Sequence, residues 1–331
     1  MKHQILALAV AALSFTACTN EDNISQDYLA DTPIKLNVSV DEPTTRAGYS
    51  DADKPTGFVL KVDNNNADKY NYLVWAKKVG DNWKTYKLDK ETNSVTDEEV
   101  TMLWANMDDN VAVLAISDVD YYAAADAKIS NHPTNQTTLA ALKKADFLAT
   151  PYTQVAPTQN GINVELKHTM SKINLTIELG SEYEFTQEDV DTKITDVKID
   201  GSKVKTNYAI WASTDNPQFR FYNQSGDPTP ISPFRTGTTP YSKTGGVITK
   251  ASATYEAILI PQYIESGKFT VSFKVDGKLY EWAYNQELTL APNTAYTLKL
   301  IAGNDKVQPV SFSVAEWKPG NGENGEKKET D

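Results

Sequence analysis

The chain has 331 residues, of which 32 are basic and 44 acidic, so its formal net charge is -12 and its isoelectric point is near 4.8. This acidic balance excludes the concentrated basic surface of a nucleic-acid-binding protein, and we predict no nucleic-acid partner. The length suffices for two domains of ordinary size, and 17 tyrosines, 10 phenylalanines and 6 tryptophans are ample for their cores.

Residues 1–17 have the order of an export signal, with a basic start and an apolar run over 5–15 that is too short to cross a bilayer. Thr16 and Ala17 then stand immediately before Cys18, the only cysteine. This arrangement resembles the lipobox of bacterial lipoproteins and implies lipidation of Cys18 and an outer-membrane precursor. The alternative is an ordinary signal peptide followed by an incidental cysteine. With Cys18 lipidated, no thiol remains for a disulfide, a nucleophile or a metal site.

A polar tether is followed by a strictly alternating segment, residues 34–40, with Ile34, Leu36, Val38 and Val40 on one face. This pattern predicts a half-buried strand. Further strands are predicted over 58–62, 72–79, 83–88, 111–116, 162–166, 173–179, 194–199, 270–275, 278–284, 288–290, 294–301 and 310–317.

Turn residues separate these strands. Gly80-Asp81-Asn82 and Asp276-Gly277 predict hairpins. The turn-rich stretches 41–55 and 217–250 are expected to be loops, and 138–148 is the best helical candidate. The sequence therefore predicts an all-β fold of two β-sandwich domains with Greek-key connections. We place their boundary at His168, which gives domains 47–168 and 169–317, followed by a polar tail over 318–331.

Catalytic and cofactor motifs are missing, and we predict no enzyme activity, no metal and no cofactor. His132 and His168 are too far apart in the sequence for a metal-ligand spacing and are expected to be structural. The GxGxxG match over 320–325 lies in the tail, without the following helix that its mechanism needs. Acid pairs such as Asp108-Asp109 and Asp118/Asp120 are interpreted as solvated loop residues. Trp75, Trp83 and Trp104 are expected in the core rather than on a sugar-binding platform.

Arg46 is the only arginine among the first 219 residues, since the other two are Arg220 and Arg235. It lies in the turn-rich stretch, where an arginine-specific protease would find one early target, between Arg46 and Ala47. The alternative is that Arg46 is simply a surface charge.

Taken together, these segments resemble the fimbrillin family, the type V pilins. The lipobox, the alternating strand and Thr44-Thr45-Arg46-Ala47 carry the resemblance at the N-terminus. Residues 146–149 (DFLA), 166–173 (LKHTMSKI), 259–262 (LIPQ) and 314–317 (VAEW) carry it further along the chain.

The resemblance implies two transthyretin-like sandwiches and a structural role. Residues 18–46 would be a propeptide, whose removal after Arg46 takes away the strand bearing Ile34, Leu36, Val38 and Val40. A strand from another subunit would fill the groove. The candidate donor is 310–317, with Val310, Phe312 and Val314 turned inward.

The expected partners are therefore other fimbrial subunits, an arginine-specific protease, the outer membrane before cleavage, and a host or bacterial surface ligand. The competent donor strand favours a stalk or adaptor subunit. The alternatives are a fimbrial tip adhesin and a cell-surface glycan-binding lipoprotein.

Overall fold

The structure, a computed structural model, describes residues 29–40, 49–50, 53–89, 94–117, 121–123, 126–150, 152–210, 219–303 and 306–316. Strands dominate these residues, which confirms the all-β class. The α-helices α1 (Leu139–Ala145) and α2 (Gln187–Lys193) have seven residues each, and a single 3-10 turn covers Asp68–Tyr70. No helix in the described ranges is long and apolar enough to cross a membrane.

The strands of the first half are β1 (Leu36–Val40), β2 (Gly57–Asn64), β3 (Tyr72–Val79), β4 (Asn82–Asp89), β5 (Ser94–Glu99), β6 (Val111–Ile116), β7 (Tyr121–Ala123), β8 (Asp126–Ile129), β9 (Leu148–Ala149), β10 (Thr153–Val155) and β11 (Ile162–His168). Those of the second half are β12 (Ser171–Leu179), β13 (Ile194–Asp200), β14 (Lys205–Ile210), β15 (Phe219–Ser225), β16 (Phe234–Thr239), β17 (Ser242–Thr244), β18 (Val247–Thr249), β19 (Ser252–Leu259), β20 (Tyr263–Ile264), β21 (Thr270–Val275), β22 (Lys278–Ala283), β23 (Leu288–Thr289), β24 (Thr294–Ala302) and β25 (Val307–Glu316).

The first half builds one sheet in the order β1-β11-β9-β6-β2-β3-β4-β5, with β10 also paired to β6. Strand β6 is buried at every position, as its uninterrupted apolar run leads one to expect. Side chains such as Phe58, Leu60, Val113 and Leu166 form the apolar cluster that we call the first core.

The second half builds a sheet in the order β16-β19-β12-β24-β25 and a smaller sheet in the order β13-β21-β22. Ile173 and Leu298 of the larger sheet share one apolar cluster, the second core, with Phe273 of the smaller sheet. The predicted hairpin between β21 and β22 is confirmed, with Asp276 at φ 49° and Gly277 at φ 83°.

The two halves are joined by more than the chain between His168 and Ser171. Strand β8 pairs with β14, so a four-stranded sheet in the order β15-β14-β8-β7 draws strands from both halves. The buried Gln136 side chain also pairs with β19: its Nε2 donates to the Ile258 carbonyl at 2.8 Å, and its Oε1 accepts from the Ile258 N–H at 2.8 Å. Division into domains at His168 remains our proposal, and these contacts would then lie between the domains.

Some predicted elements were wrong. The expected loop over 217–250 contains β15 to β18. Strand β15 pairs with β14, β16 pairs with β19, and β17 and β18 form a hairpin with each other. The helix predicted over 138–148 ends at Ala145, since Leu148 is needed in β9 beside β11. Helix α2 was not predicted, although Thr186 and Asp189 form a capping box at its start.

Candidate functional site at the edge of the first sheet

Strand β1 lies at one edge of the first sheet and pairs in parallel with β11. In the register, Leu36 is opposite Ile162 and Val40 is opposite Leu166. Parallel pairing requires the chain to return from a distant position. Here the Asn37 side chain donates to the Asn160 carbonyl, 123 positions further along the chain. We call residues 29–40, which include β1, the N-terminal segment.

One face of β1 covers the first core, as the alternation predicts. Val38 is 8% exposed and Val40 is 3% exposed, while Ile34 and Leu36 are half-buried against the same cluster. The intervening Ser39 is exposed on the opposite face. The strand therefore contributes apolar area to the core from the edge of the sheet, where β11 is the only described strand that pairs with it.

The residues before β1 extend this contact. The N–H of Asp31 donates to the Trp104 carbonyl at 2.9 Å, and the N–H of Ile34 donates to the Met102 carbonyl at 2.9 Å. Leu29 is 3% exposed and belongs to the first core. The N-terminal segment is thus bound through both its backbone and its side chains.

Gly161 sets how closely the segment approaches β11. The N–H of Ile162 donates to the Lys35 carbonyl at 2.8 Å. Gly161 has φ +82°, and a Cβ placed there would collide with the Lys35 carbonyl oxygen. Glycine is therefore required by both the backbone conformation and the close approach. The sequence analysis did not identify this residue.

The predicted processing residues Cys18, Arg46 and Ala47 lie outside the described residues. The chain on either side of residues 41–48 is described. Val40 is paired to β11, and the N–H of Tyr49 donates to Asp146 Oδ2 at 3.1 Å.

The candidate donor strand lies in β25, which starts earlier than predicted and forms the edge of the larger second-half sheet beside β24. Phe312 packs on the second core, with its ring 4.8 Å from the Tyr284 ring centroid. Val310 is 51% exposed and Val314 is 59% exposed. Within its own subunit, therefore, only Phe312 of the three faces the core. A register shift beside Val310 accounts in part for its different orientation.

Trp75, Trp83 and Trp104 all pack against apolar clusters. Trp104 is 1% exposed in the first core, and Trp83 packs 5.1 Å from the Phe58 ring. Trp75 is half-buried against a third apolar cluster. The prediction that these three residues serve core packing is confirmed.

Both described histidines are buried and separate. His132 Nε2 lies 2.8 Å from the Ile258 carbonyl oxygen, and burial lowers the pKa of His132 to about 4. His168 Nδ1 lies 2.9 Å from Asp146 Oδ1, and both side chains are inaccessible to solvent. Their structural interpretation fits these contacts.

The acidic pairs also show no binding geometry where they can be seen. Asp109 accepts from the amides of Asn66 and Asn106 at 2.6 and 2.7 Å, which fixes a loop. Asp118 and Asp120 lie outside the described residues. Among the described residues, no group of three or more His, Cys, Asp or Glu side chains could hold a metal ion.

A buried ion pair was also missed by the sequence analysis. Lys172 Nζ lies 2.9 Å from Glu256 Oε2, and the Lys172 side chain is inaccessible to solvent. Burial lowers the pKa of Lys172 and raises that of Glu256, while their mutual attraction opposes both shifts. The contact with the first half that buries them is a tertiary feature.

Comparison with known proteins gives one family match. A family model described as fimbrillin-like matches residues 45–317. No curated protein matches the chain.

Several solved structures match the chain. A proposed cell adhesion protein from Bacteroides ovatus is 12% identical, with a TM-score of 0.55, and the match covers 88% of this chain and all of that one. A fimbrial protein from Bacteroides vulgatus is 13% identical, with a TM-score of 0.47 and coverage of 86% and 99%. The tip fimbrial protein Mfa3 from Porphyromonas gingivalis, in a C-terminally truncated form, is 10% identical, with a TM-score of 0.42 and coverage of 86% and 100%.

The Bacteroides ovatus match supports a shared fold and nothing finer at this identity. The family match is more informative, because it spans more than half of the sequence and includes both β11 and β25. The chain therefore belongs to the fimbrillin-like family.

Proposed function

We propose that this protein is a structural subunit of a surface fimbrium and that it is activated by removal of its N-terminal segment. One observation carries the proposal: β1 covers the first core from a sheet edge, and among the described strands it pairs with β11 alone. The family and the fold support a fimbrial role, and the solved structures of fimbrial and adhesion proteins are in keeping with it.

In this proposal, cleavage after Arg46 separates β1 from the rest of the subunit. Loss of β1 would leave the edge of β11 without its backbone partners and would uncover the apolar side chains beneath Val38 and Val40. Such an open edge is a template for strand addition. A strand from a second subunit with matching alternation would restore both the hydrogen bonds and the apolar contacts.

The donor would be β25 of a neighbouring subunit. It is an edge strand, so it can be withdrawn by breaking one ladder, that with β24. Val310 and Val314 are already exposed, so two of its apolar side chains have little contact to lose. Withdrawal would cost the packing of Phe312 on the second core, which insertion into a neighbour's groove would have to offset.

Delivery of the precursor to the outer membrane would depend on the lipid attached to Cys18. Cys18 would hold the precursor at the outer membrane until cleavage, after which the subunit enters the fimbrium at the cell surface. Because the lipid leaves with residues 18–46, it serves transit and is not a permanent anchor. We favour a stalk or adaptor subunit over a tip adhesin, because β25 has the alternation that a donor strand needs.

Treating the purified precursor with an arginine-specific protease tests the proposal. Cleavage after Arg46 should yield oligomer ladders on gels of unboiled samples, and Arg46→Ala should yield none. Arg220→Ala is the matched control, because this exposed arginine lies within β15 and its loss should leave the ladder unchanged. Cleavage at Arg46 with a product that stays monomeric at high concentration would refute the proposal.

A further inference from the structure

The chain immediately after the predicted cleavage site is fixed by a buried carboxylate. Asp146 is inaccessible to solvent and accepts two hydrogen bonds, one at each oxygen. The Tyr49 N–H donates to Oδ2 at 3.1 Å, and His168 Nδ1 lies 2.9 Å from Oδ1. Because a buried carboxylate is costly unless it is hydrogen-bonded, both partners help to hold it in place.

This contact lies at the same end of β11 as the last residue of β1. Val40 is in register with Leu166, and His168 is two residues further along β11. At the usual strand rise these two positions are about 7 Å apart. The two described ends of the chain that flank residues 41–48 are therefore held side by side, one by the β1 ladder and the other by Asp146.

Helix α1 provides a second contact to the downstream side. Asp146 directly follows the helix, and Lys143 in its last turn forms an ion pair with Asp53. The Ser50 and Asp53 backbones also hydrogen-bond to each other, and the Tyr49 side chain packs on the first core. Tyr49 and Asp53 are thus both attached to the end of α1.

We propose that Asp146, oriented by His168, is a positioning residue that anchors the downstream side of the cleavage site. The inference rests on the proposed processing at Arg46. It assigns the two sides of the cut different fates: β1 is released, whereas the mature chain stays attached two residues after its new first residue, Ala47. The anchor would keep the new N-terminus beside the opened edge of β11. It would also keep the chain before β2 in place when β1 leaves.

Lys54 provides the readout, because it follows the anchored residues and precedes β2. The protease must cleave on the amino side of lysine, between Asp53 and Lys54, because Pro55 follows Lys54 and protects the next bond. Such a protease should cut the wild-type precursor slowly at Lys54. Asp146→Ala should raise the rate of that cut about 10- to 100-fold, the effect of losing a charge-assisted hydrogen bond on local opening. His168→Leu should act in the same direction. His168→Asn should retain much of the protection, since its amide can still donate to Asp146.

Two further variants separate anchoring from general destabilisation. Leu142→Ala removes a buried side chain from α1 without changing the Asp146 carboxylate, so it should accelerate cuts at Lys54 and at Lys84 in β4 alike.

Tyr49→Pro deletes the donor N–H and the ring while leaving the Asp146–His168 pair, and Tyr49→Ala is its control because it keeps the N–H. Tyr49→Pro should therefore expose Lys54 more than Tyr49→Ala does, even if Asp146→Ala fails to fold.

The proposal is overturned if Lys54 stays protected in Asp146→Ala and Tyr49→Pro, or if Lys84 is cut in parallel with it. These outcomes are distinct from failure of the proposed function. A wild-type subunit that is cut at Arg46 and remains monomeric would refute assembly, but the comparison of Lys54 rates would stand.

Discussion

Weakening the contact between β1 and the first core should let the precursor open without cleavage. The change is the double substitution Val38→Ala and Val40→Ala, at side chains that are 8% and 3% exposed. Each substitution removes two methyl groups, about 1.6 kcal/mol by transfer alone, and adds a cavity cost. Together they should lower the free energy that holds β1 in place by roughly 3–5 kcal/mol.

At about 1.4 kcal/mol for each factor of ten, this raises the population with β1 detached by roughly 100- to 3,000-fold. Denaturant unfolding measures the total loss of stability. Hydrogen exchange of the amides of residues 162–166 measures whether the edge of β11 is uncovered. The uncut variant should also form slow ladders on unboiled gels, which the uncut wild type should not.

Ser39→Ala is the control, because Ser39 lies in the same strand but on its exposed face. It should change stability by no more than about 0.5 kcal/mol. The reasoning fails if the double variant is destabilised but the β11 amides exchange no faster than those of β2 or β3. That result would mean that β1 cannot leave without unfolding of the whole sheet.

Three more outcomes are expected. Burial holds His132 neutral, with a pKa of about 4 against 6.5 when unfolded, so the free energy of unfolding should be full above pH 6.5 and fall by about 3 kcal/mol towards pH 4. Denaturant unfolding of His132→Gln across this range should lack that fall, and a pH profile identical to that of the wild type would contradict the assignment. Gly161→Ala should destabilise the precursor by about 1–3 kcal/mol more than Gly80→Ala, because both glycines have positive φ but only at Gly161 would the new Cβ collide with a neighbour, the Lys35 backbone just before β1. Equal losses of stability in thermal or denaturant unfolding would argue against the close approach. Gln136→Ala should lower the free energy of unfolding by about 2–4 kcal/mol, since it leaves the Ile258 backbone N–H without its side-chain acceptor. A loss below about 0.5 kcal/mol in denaturant unfolding would show that this contact does not join the two halves.

The strands that were predicted best are those whose signal is local. Alternation in residues 34–40 correctly indicated a strand with one apolar face, because side chains in a strand alternate whatever its neighbours are. The Asp276-Gly277 turn was equally predictable, since its positive φ angles are a property of two residues. Strands β15 and β16 in the stretch 217–250 were missed because they are stabilised by pairing with β14 and β19, which local polarity does not reveal.

In the candidate site, too, some features follow from the local sequence and others only from tertiary contacts. The sequence by itself determined that the segment around Val38 is a strand with a core-covering face, and the family resemblance predicted cleavage at Arg46 after it. Only the tertiary structure placed that strand at an edge beside β11, required glycine at Gly161, and brought Asp146 to the chain after the proposed cleavage site. The physical reason is that a strand's pattern records which side is buried, whereas its partner and its freedom to leave depend on contacts with residues more than a hundred positions away.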